Sequence, residues 1–572
     1  MNRKSIFLFA CLILTLHVVN GGFLDGIKRL FGNLKCAYGI SQEYTDDPPT
    51  SGNETSKSVP LPDWSVNAKV GDHLWQATSD SGDICDVGKK ECSKRGPRMK
   101  CSACKMVAHT SCMPIITKRQ QLSCKPSFID ESTLKMQKKS IIDWPLHNPH
   151  HWMYHQMEKG EYRQCEKCQK LIEANSFSLK KVVAVSCPWC KLSFHNKESC
   201  FNSHQIGDRC TFGQHSKIIV PPSWIVKQKK YKPFVIKPIP MTEHAPLLVF
   251  INPKSGGNMG GELLEKFQWL LNPRQVFYLT RENGPRMGLE LFRDVPNLRI
   301  LACGGDGTAG WIFSELDRMQ FTKPPAVGVL PLGTGNDLAR SFGWGGGYDN
   351  EPISTILKSI SDSNPVLLDR WSLKVTPNLK AKYDEDGKDD LPQHSKVVNN
   401  YFSFGIDAHI ALKFHEAREN HPDVFNSPLV NKLYYGQAGG KDLLVAKWEH
   451  LSEIVTLECN GTDITPELKK HRVHAVLFLN IPFYGGGTRP WASPGKKQAT
   501  DDGLIEVIGL TSYQLPLLQV GRPGTCIAQC KTAKIITSQT IPMQVDGEAT
   551  KLRPSIIELS LLNKASMLAK KL

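Results

Sequence analysis

The stretch RILACGGDGT, residues 299–308, decides the fold of the central part of this 572-residue chain. Its apolar first half predicts a buried strand, and the residues from Gly310 to Met319 predict a helix just after it. Glycines between a strand and a helix let backbone N–H groups approach a phosphate, which the positive end of the helix also attracts. The segment therefore predicts a phosphate-binding turn in an α/β domain.

Two similar turns occur nearby, NPKSGG at 252–257 and LPLGTGNDLAR at 330–340. Strands are predicted at 247–251, 275–279, 299–303 and 326–330, and they alternate with predicted helices. Because ligands bind at the carboxyl ends of parallel strands, we expect the three turns to converge at one edge of the sheet. The chain contains neither a P-loop motif nor the protein-kinase motif set, which disfavours both enzyme classes.

Beyond Asp369 the pattern changes to short alternating runs at 397–404, 473–481 and 504–510, separated by glycine and proline turns. Such runs are typical of a β-rich lobe. We therefore expect a nucleotide-binding α/β domain at 244–370 and a β-rich domain at 371–565.

Twelve of the 18 cysteines fall in two clusters with interleaved histidines, which predict two small modules at 73–124 and 150–210. Each cluster supplies eight candidate zinc ligands, enough for two tetrahedral sites, so up to four zinc ions are expected. Metal binding would supply folding free energy to modules that lack a large core. The candidate ligands are His73, Cys85, Cys92, Cys101, Cys104, His109, Cys112 and Cys124, then His150, Cys165, Cys168, Cys187, Cys190, His195, Cys200 and Cys210.

The order of these ligands resembles the C1 domain, whose two zinc sites are interleaved. In the first module the resemblance implies the sets His73, Cys101, Cys104, Cys124 and Cys85, Cys92, His109, Cys112, with Cys92 replacing the cysteine expected at Gly88. In the second it implies His150, Cys187, Cys190, Cys210 and Cys165, Cys168, His195, Cys200, with His151 as an alternative to His150. C1 domains are known for binding diacylglycerol through apolar loops, but the segment 96–100 is basic, which favours a structural or protein-docking role.

The first 35 residues combine an apolar run at 5–19 with apolar residues at helical spacing after it. Two interpretations stay open, a retained membrane anchor, which we favour, and a cleaved signal peptide. Linkers are predicted at 36–72 and 211–243 from their polar and proline-rich composition. The net charge of +16 indicates an anionic partner without choosing among nucleotide, membrane and nucleic acid.

Six motifs together resemble the catalytic and accessory regions of the diacylglycerol kinase family. They are GGDGT (304–308), LPLGTGNDLAR (330–340), PKSGGN (253–258), DRW (369–371), NNYFS (399–403) and DGE (546–548). The resemblance is nearest to the zeta/iota class, although that class ordinarily carries ankyrin repeats, which this sequence does not contain. It implies two zinc-bound C1-like domains followed by a two-lobed lipid-kinase region, an α/β lobe plus a β-sandwich.

The resemblance also implies a reaction, in which the γ-phosphate of ATP passes to the free hydroxyl of diacylglycerol with Mg²⁺ as cofactor. The product would be phosphatidic acid, and diacylglycerol signalling would be attenuated. Asp306 would organise Mg²⁺ or the phosphate, and Asp502 would accept the hydroxyl proton. The residues expected to hold the nucleotide are Asn252, Lys254, Gly304, Gly305, Gly307, Thr308, Gly333, Thr334, Gly335, Asn336 and Glu548.

Two other functions stay open, a lipid kinase acting on sphingosine or ceramide, and an inactive C1-domain adaptor at membranes. The paired zinc modules and the TGND sequence at 334–337 favour diacylglycerol over sphingosine. We expect a cytoplasmic protein, peripheral or anchored at membranes, with possible protein partners of its C1-like modules. No nucleic-acid partner is expected.

Overall fold

The computed structural model describes residues 59–571, except 81–82, 89–90, 93–95, 120–121, 134–147, 158–161, 174–181, 207, 229–232, 240–242, 258, 281–283, 382–393, 421–447, 449 and 494. The predicted amino-terminal segment 1–35 and most of the predicted linker 36–72 lie outside the described residues. Among the helices within the described ranges, none combines the length and the apolar character that crossing a bilayer requires.

The first cysteine-rich module is a three-stranded antiparallel sheet followed by one short helix. Strand β1 (Trp75–Thr78) pairs with β2 (Arg98–Cys101), β2 pairs with β3 (Val107–His109), and the helix Met113–Lys118 comes next. Strands of three or four residues bury little apolar surface, and cysteines make up nearly half of this module's small core. The two-residue strand β4 (Ile129–Asp130) then leads away from the module.

The second module has a similar sheet with a hairpin added. Its sheet is β5 (Met153–Gln156), β8 (Val183–Ser186) and β9 (Ser193–His195), and its hairpin is β6 (Tyr162–Gln164) with β7 (Leu171–Glu173). Two of the six buried residues of its core are cysteines, Cys165 and Cys200, and Phe194 and Ile172 are among the others.

The segment 211–243, predicted as a linker, contains two strands and packs against the α/β domain. Strands β10 (Ile225–Lys227) and β11 (Phe234–Ile236) form a sheet with β4. Trp224 and Phe234 are buried in the same core as strands of the α/β domain. Although most of the segment is polar, its few large apolar side chains are removed from water by packing against that domain.

The α/β domain is built on four parallel strands in the order β13-β12-β14-β15. They are β12 (Leu247–Ile251), β13 (Val276–Tyr278), β14 (Arg299–Gly304) and β15 (Ala326–Pro331). The helices between and after them are Gly260–Leu270, Arg286–Leu291, Asp306–Met319, Asp337–Ser341 and Ile353–Asp362. Continuous apolar runs such as β12 form strands here because helices cover both faces of a parallel sheet.

The second lobe consists mostly of antiparallel strands and joins the first through a shared sheet. Its strands are β16 (Asn364–Pro377), β17 (His394–Val398), β18 (Tyr401–Gly405), β19 (Val455–Cys459), β20 (Thr462–Asp463), β21 (Ala475–Leu479), β22 (Ile505–Leu510), β23 (Thr525–Cys530), β24 (Thr532–Thr537), β25 (Ile541–Val545), β26 (Glu548–Leu552) and β27 (Ser555–Ala569). Its helices are Ile406–Asn420, Leu451–Ile454, Thr465–Lys470 and Gln514–Leu518.

Two sheets of this lobe pack around one core, which gives the sandwich. One has the order β23-β22-β21-β18-β25-β26, and the other runs from the α/β strands through β27 to β24, β19 and β20. Strand β27 pairs antiparallel with β16 along its length and parallel with β15 at Val327 and Met567. The carboxyl-terminal strand therefore fixes the second lobe to the edge of the first.

The expected architecture, two C1-like modules before an α/β lobe and a β-sandwich lobe, is confirmed. Three details differ from the sequence expectation. The helix expected from Gly310 begins at Asp306, so three residues of the GGDGT turn form its first turn. The run 397–404 is two strands separated by Asn399 and Asn400, and a 15-residue helix, Ile406–Asn420, lies within the β-rich lobe.

Candidate functional site

The zinc-ligand candidates of the first module form two groups, each with its four ligand atoms within 4.8 Å of one another. The groups are His73, Cys101, Cys104, Cys124 and Cys85, Cys92, His109, Cys112, the sets that the C1 resemblance implies. In the first group the His73 Nε2 atom lies 2.8 Å from the Leu122 carbonyl oxygen. A ring nitrogen that donates there leaves Nδ1 unprotonated and facing the thiols, as a metal-binding histidine requires.

The second module repeats this arrangement with His150, Cys187, Cys190, Cys210 and with Cys165, Cys168, His195, Cys200. His150 rather than the alternative His151 belongs to this group, and its Nδ1 atom lies 3.3 Å from the Cys190 sulfur. Three sulfurs and one imidazole suit tetrahedral Zn²⁺, and no disulfide competes for the described thiols, which are all free. Both modules therefore fit structural zinc.

The three glycine turns meet at the carboxyl edge of the parallel sheet. Gly305 lies against Gly333, because a Cβ atom on Gly333 would come within 2.7 Å of the Gly305 Cα atom. Asn252 of the third turn donates from Nδ2 to Thr308 Oγ1 at 3.1 Å. A side chain at 333 would push the two turns apart, so their close approach requires glycine there, whereas a Cβ atom at 305 would be a tight contact at 3.2 Å.

The turn at 333–336 is stabilised by its own asparagine. Asn336 adopts a left-handed backbone conformation with φ of 55°, and its Oδ1 atom accepts from Gly333 N at 2.9 Å. Its Nδ2 atom donates to the carbonyl oxygens of Gly333 and Gly346. In this structure the Asn336 side chain shapes the loop through these bonds, and its contact with the nucleotide stays a prediction.

Asp306 lies at the carboxyl edge of the parallel sheet, where the two lobes meet. Its Oδ2 atom accepts from Asp337 N at 3.0 Å, Leu338 N at 3.4 Å and Asn400 Nδ2 at 2.9 Å. Asn400 precedes β18 of the second lobe, so this carboxylate links both lobes. Burial, and then the nearby Asp337 carboxylate, raise the pKa of Asp306 to about 7.

Two oxygens in this centre stay available for a ligand. Among the described residues, Asp306 Oδ1 and Asn400 Oδ1 are buried without a hydrogen-bond partner. Carboxylate and amide oxygens are ligands that Mg²⁺ accepts, and a buried polar atom without a partner is costly unless a ligand or water satisfies it. The site therefore fits Mg²⁺ held by these two oxygens.

Two further carboxylates, Asp337 and Asp546, lie close to Asp306, and a third, Asp407, is buried in the second lobe. The sequence had not assigned these three a role. Asp546 accepts from four N–H groups of residues 399–401, at 2.8–3.1 Å. Asp337 Oδ2 accepts from Gly486 N at 3.0 Å, and Asp407 Oδ2 accepts from Tyr484 and Gln544 at 3.0 Å. Burial raises the pKa of Asp407 and of Asp546. Asp337 and Asp546 stood in recognised motifs, whereas no sequence signal identified Asp407.

The remaining predicted residues lie around or away from this centre. Lys254 and Gly307 are exposed at the turns, and Thr308 is buried beside Gly304. Thr334 and Gly335 lie in the second turn, and Glu548 is exposed at the start of β26. Asp502 is exposed in the turn before β22, where its Oδ1 atom accepts from Leu504 N at 3.0 Å. Among the described residues, no hydrogen bond joins Asp502 to Asp306 or to the residues bonded to it.

The fold and the site define a two-lobed protein whose phosphate-binding turns face carboxylates at the junction of the lobes. Family models match the diacylglycerol kinase catalytic domain at 246–367, the diacylglycerol kinase accessory domain at 397–549 and the phorbol ester/diacylglycerol-binding C1 domain at 73–123. With these domains in this order, the chain belongs to the diacylglycerol kinase family.

Relatives of known name agree with the family models. The chain is 49% identical to the eye-specific diacylglycerol kinase of Drosophila melanogaster, over 93% of this chain and 40% of that one. It is 46% identical to human diacylglycerol kinase iota (89% and 51%) and 42% identical to human diacylglycerol kinase zeta (95% and 62%). The chain thus spans about half the length of these relatives.

Among solved structures, a diacylglycerol kinase from Bacillus anthracis str. Sterne matches with a TM-score of 0.35 at 16% identity, covering 57% of this chain and 96% of that one. A likeness this low carries no argument for fold or function.

Proposed function

We propose that this protein phosphorylates diacylglycerol with ATP, forming phosphatidic acid and ADP and thereby attenuating diacylglycerol signalling. The observation that carries the proposal is the convergence of three glycine turns on the buried Asp306 carboxylate, in a chain with the catalytic domain of this family. The acceptor hydroxyl oxygen bonds to the γ-phosphorus, the bond from that phosphorus to the β,γ-bridging oxygen breaks, and the hydroxyl proton passes to a carboxylate.

The glycine turns are the proposed phosphate site. Gly304, Gly305, Gly307 and Thr308 lie at the amino-terminal end of the helix Asp306–Met319, where backbone N–H groups and the helix dipole favour anions. Gly307 has open space around it, since a Cβ atom there would have no neighbour within 4 Å. Lys254 is exposed at the neighbouring turn and is placed to neutralise phosphate charge.

The Asp306 and Asn400 oxygens are the proposed holders of Mg²⁺. The bound ion would neutralise charge on the transferring phosphate. Asp306 meanwhile keeps the two lobes together through its Oδ2 atom, so the position of the nucleotide is coupled to the position of the second lobe. Zn²⁺ in the two modules has a structural role in the proposal, and the C1-like modules are candidate docking sites for protein partners.

Two carboxylates are candidates for the base that accepts the hydroxyl proton. Asp502 is the candidate from the resemblance, and its exposed turn is open to a lipid headgroup. Asp306 is the candidate from the geometry, because it lies beside the turns and its pKa is raised to about 7 when no metal ion is bound. The single-turnover rate of Asp502→Asn decides between them, because a loss of roughly 10²–10⁴-fold identifies Asp502 as the base and an unchanged rate leaves Asp306.

The test of the proposal is a product assay with purified protein, ATP, Mg²⁺ and lipid. Phosphatidic acid formed from diacylglycerol is the expected result, with no product from sphingosine or ceramide. Phosphorylation of sphingosine alone would replace the proposal with the other lipid-kinase function. Absence of any product from all three lipids would favour the inactive adaptor. The proposed location is the cytoplasmic surface of membranes, where the acceptor lipid resides.

A further inference from the structure

Three exposed apolar side chains lie close together around the short helix Gln514–Leu518 of the second lobe. Tyr513, Leu517 and Val520 expose 80%, 45% and 62% of their surface. Leu518 of the same helix is buried in the core of the lobe, so the segment is anchored there. A surface helix usually turns polar residues to solvent, but here the outward side is apolar as well. We call Tyr513, Leu517 and Val520 the apolar patch.

Basic side chains border the apolar patch. Arg522 lies two residues after Val520, and Gly524 N donates to the Pro490 carbonyl oxygen at 2.9 Å, which brings Arg489 alongside. Lys496 precedes Lys497, whose carbonyl oxygen accepts from Gln529 Nε2 of β23 at 3.1 Å, so Lys496 lies beside that strand. Arg489, Lys496 and Arg522 are all exposed. An apolar surface with a basic border complements an anionic bilayer, in which acyl chains lie beneath negatively charged headgroups.

Acidic residues are absent from a long stretch of sequence around the patch. Residues 507–545 contain no aspartate or glutamate. The nearest acidic residues before them in an exposed position, Asp501 and Asp502, lie in a turn whose Asp501 carbonyl oxygen accepts from Lys564 of β27. No carboxylate of this stretch therefore opposes the approach of an anionic surface.

One loop connects the patch with the candidate active site. Gly486 N donates to Asp337 Oδ2, next to Asp306, and Pro490, four residues later, accepts from Gly524 at the border of the patch. Four residues from Gly486 to Pro490, the hydrogen bond from Gly524 to Pro490 and four residues from Gly524 back to Val520 together span at most about 33 Å, at about 3.5 Å per residue. A bilayer on the patch would thus lie within about 33 Å of Gly486, which borders the site where an acceptor lipid must react.

We propose that Tyr513, Leu517 and Val520, bordered by Arg489, Lys496 and Arg522, form the surface that docks this protein on an anionic phospholipid bilayer. The inference rests on the proposed function, because a kinase for a membrane lipid must reach the bilayer. Val520 and Leu517 enter the acyl boundary, Tyr513 lies at headgroup depth with its hydroxyl in water, and the basic border contacts lipid phosphates.

Hydrogen–deuterium exchange of the full chain on vesicles locates the contact. Vesicles of phosphatidylcholine with 30 mol% phosphatidylserine should slow amide exchange at 511–524 at least about threefold, and vesicles of phosphatidylcholine alone should have a smaller effect. Segment resolution matters because the amino-terminal segment and the C1-like modules are other candidates for membrane contact. Protection confined to those regions, with 511–524 unchanged, would overturn the proposal.

A triple variant, Tyr513→Ser, Leu517→Ser and Val520→Ser, should abolish the vesicle-induced slowing of amide exchange at 511–524. It should also lower the coefficient for partitioning of the protein from water onto the anionic vesicles roughly tenfold or more. The matched control is Leu379→Ser, which removes an 82% exposed leucine from another part of the lobe and should change neither quantity. A separate charge variant, Arg489→Gln with Arg522→Gln, keeps the patch and should bind less to the anionic vesicles only. This variant decides the matter if the triple variant does not fold.

The proposal would be wrong if the triple variant and the wild type partitioned equally onto the vesicles. It would also be wrong if the Leu379→Ser control lost as much vesicle binding as the triple variant. Because vesicle binding is measured without ATP, its outcome is independent of whether the protein phosphorylates diacylglycerol. A protein that binds through 511–524 but forms no phosphatidic acid would retain the docking surface and lose the proposed function.

Discussion

The first zinc module and the α/β domain differ in how their strands are buried. Strands β1 to β3 are three or four residues long and mostly half-buried, whereas every residue of β12 is buried. Cysteines make up nearly half of the core of the module, whereas the core of the α/β domain is made mainly of aliphatic and aromatic side chains. The module depends on ligand bonds for a stability that the domain obtains by burying apolar surface.

Removal of zinc should have the largest effect on stability, and it should unfold the zinc modules while leaving the α/β domain folded. Structural zinc contributes on the order of 10 kcal/mol to folding, so a strong chelator should unfold both modules. Hydrogen exchange should rise throughout 73–124 and 150–210 while strands β12, β14 and β15 stay protected.

Measuring the zinc bound by cysteine variants tests the same difference by mutation. Cys101→Ser should lower bound zinc from four ions towards three, whereas Cys459→Ser, which removes a buried thiol of β19, should leave four. Equal protection of both modules with and without chelator would show that they fold without metal.

In the α/β domain the sensitive positions are glycines rather than cysteines. A Cβ atom on Gly304 would overlap the Thr308 Oγ1 atom, so Gly304→Ala should distort the phosphate turn and lower kcat/KM roughly 100-fold or more. The control is Gly261→Ala, in a helix where a Cβ atom has no neighbour within 4 Å. Steady-state kinetics with ATP and diacylglycerol measure both. A Gly304→Ala protein of normal activity would contradict the role of the turn.

The two regions are joined by a buried lysine. Lys125, just after the first module, donates from Nζ to the carbonyl oxygens of Gln268, Trp269 and Leu271 at 2.9–3.0 Å. These carbonyls end the helix Gly260–Leu270, where a cation is favourable. The same ammonium lies 4.6 Å from the centre of the Trp189 ring in the second module.

Lys125→Met keeps the apolar stem and removes the donors, so it should lower the free energy of unfolding by about 2–4 kcal/mol. Denaturant unfolding followed by tryptophan fluorescence measures the loss. Lys118→Met, at the exposed end of the first module's helix, is the control and should change stability by less than about 0.5 kcal/mol. A Lys125→Met protein as stable as the control would mean that the modules and the domain are joined by other contacts.

A smaller effect is expected in the second lobe, at Glu506 of β22. Its side chain is buried between the Nε2 atoms of Gln498 and Gln529, at 3.1 and 3.0 Å, and burial raises its pKa to about 7. Between about pH 4.5 and pH 7 the folded state holds a proton that the unfolded state has released, so stability falls as the pH rises through this window.

Glu506→Gln should remove that dependence and make the variant relatively more stable at pH 8 than at pH 5, by about 1–3 kcal/mol. Calorimetry at the two pH values measures the difference, with the exposed Glu558→Gln of β27 as control. An identical pH dependence in the variant and the wild type would mean that Glu506 is ionised throughout.

The sequence predicted most of the fold because its signals are local. Apolar runs of five or six residues ending in glycine turns located β12, β14 and β15 to within one residue. Cysteine spacing and the C1 resemblance implied ligand sets that the structure brings together. The helix Ile406–Asn420 was missed, because it lies among strand-like runs and has a weakly patterned sequence.

The candidate site was predictable only in part. Glycines that approach a phosphate leave a pattern in sequence, so the three turns were found from residues alone. The contacts of Asp306 with Asn400, of Asp337 with Gly486 and of Asp407 with Tyr484 join residues 77 to 149 positions apart. No local pattern records such a distance.

The amino-acid sequence by itself determined the order of the modules, the strands of the α/β sheet and the glycine turns, since each depends on residues that are neighbours in the chain. Only the tertiary structure decided how the second lobe meets the first, because strand β27 returns to β15 across more than 200 residues. That return places Asn400 and Asp546 beside Asp306, and it makes the junction between the lobes the site.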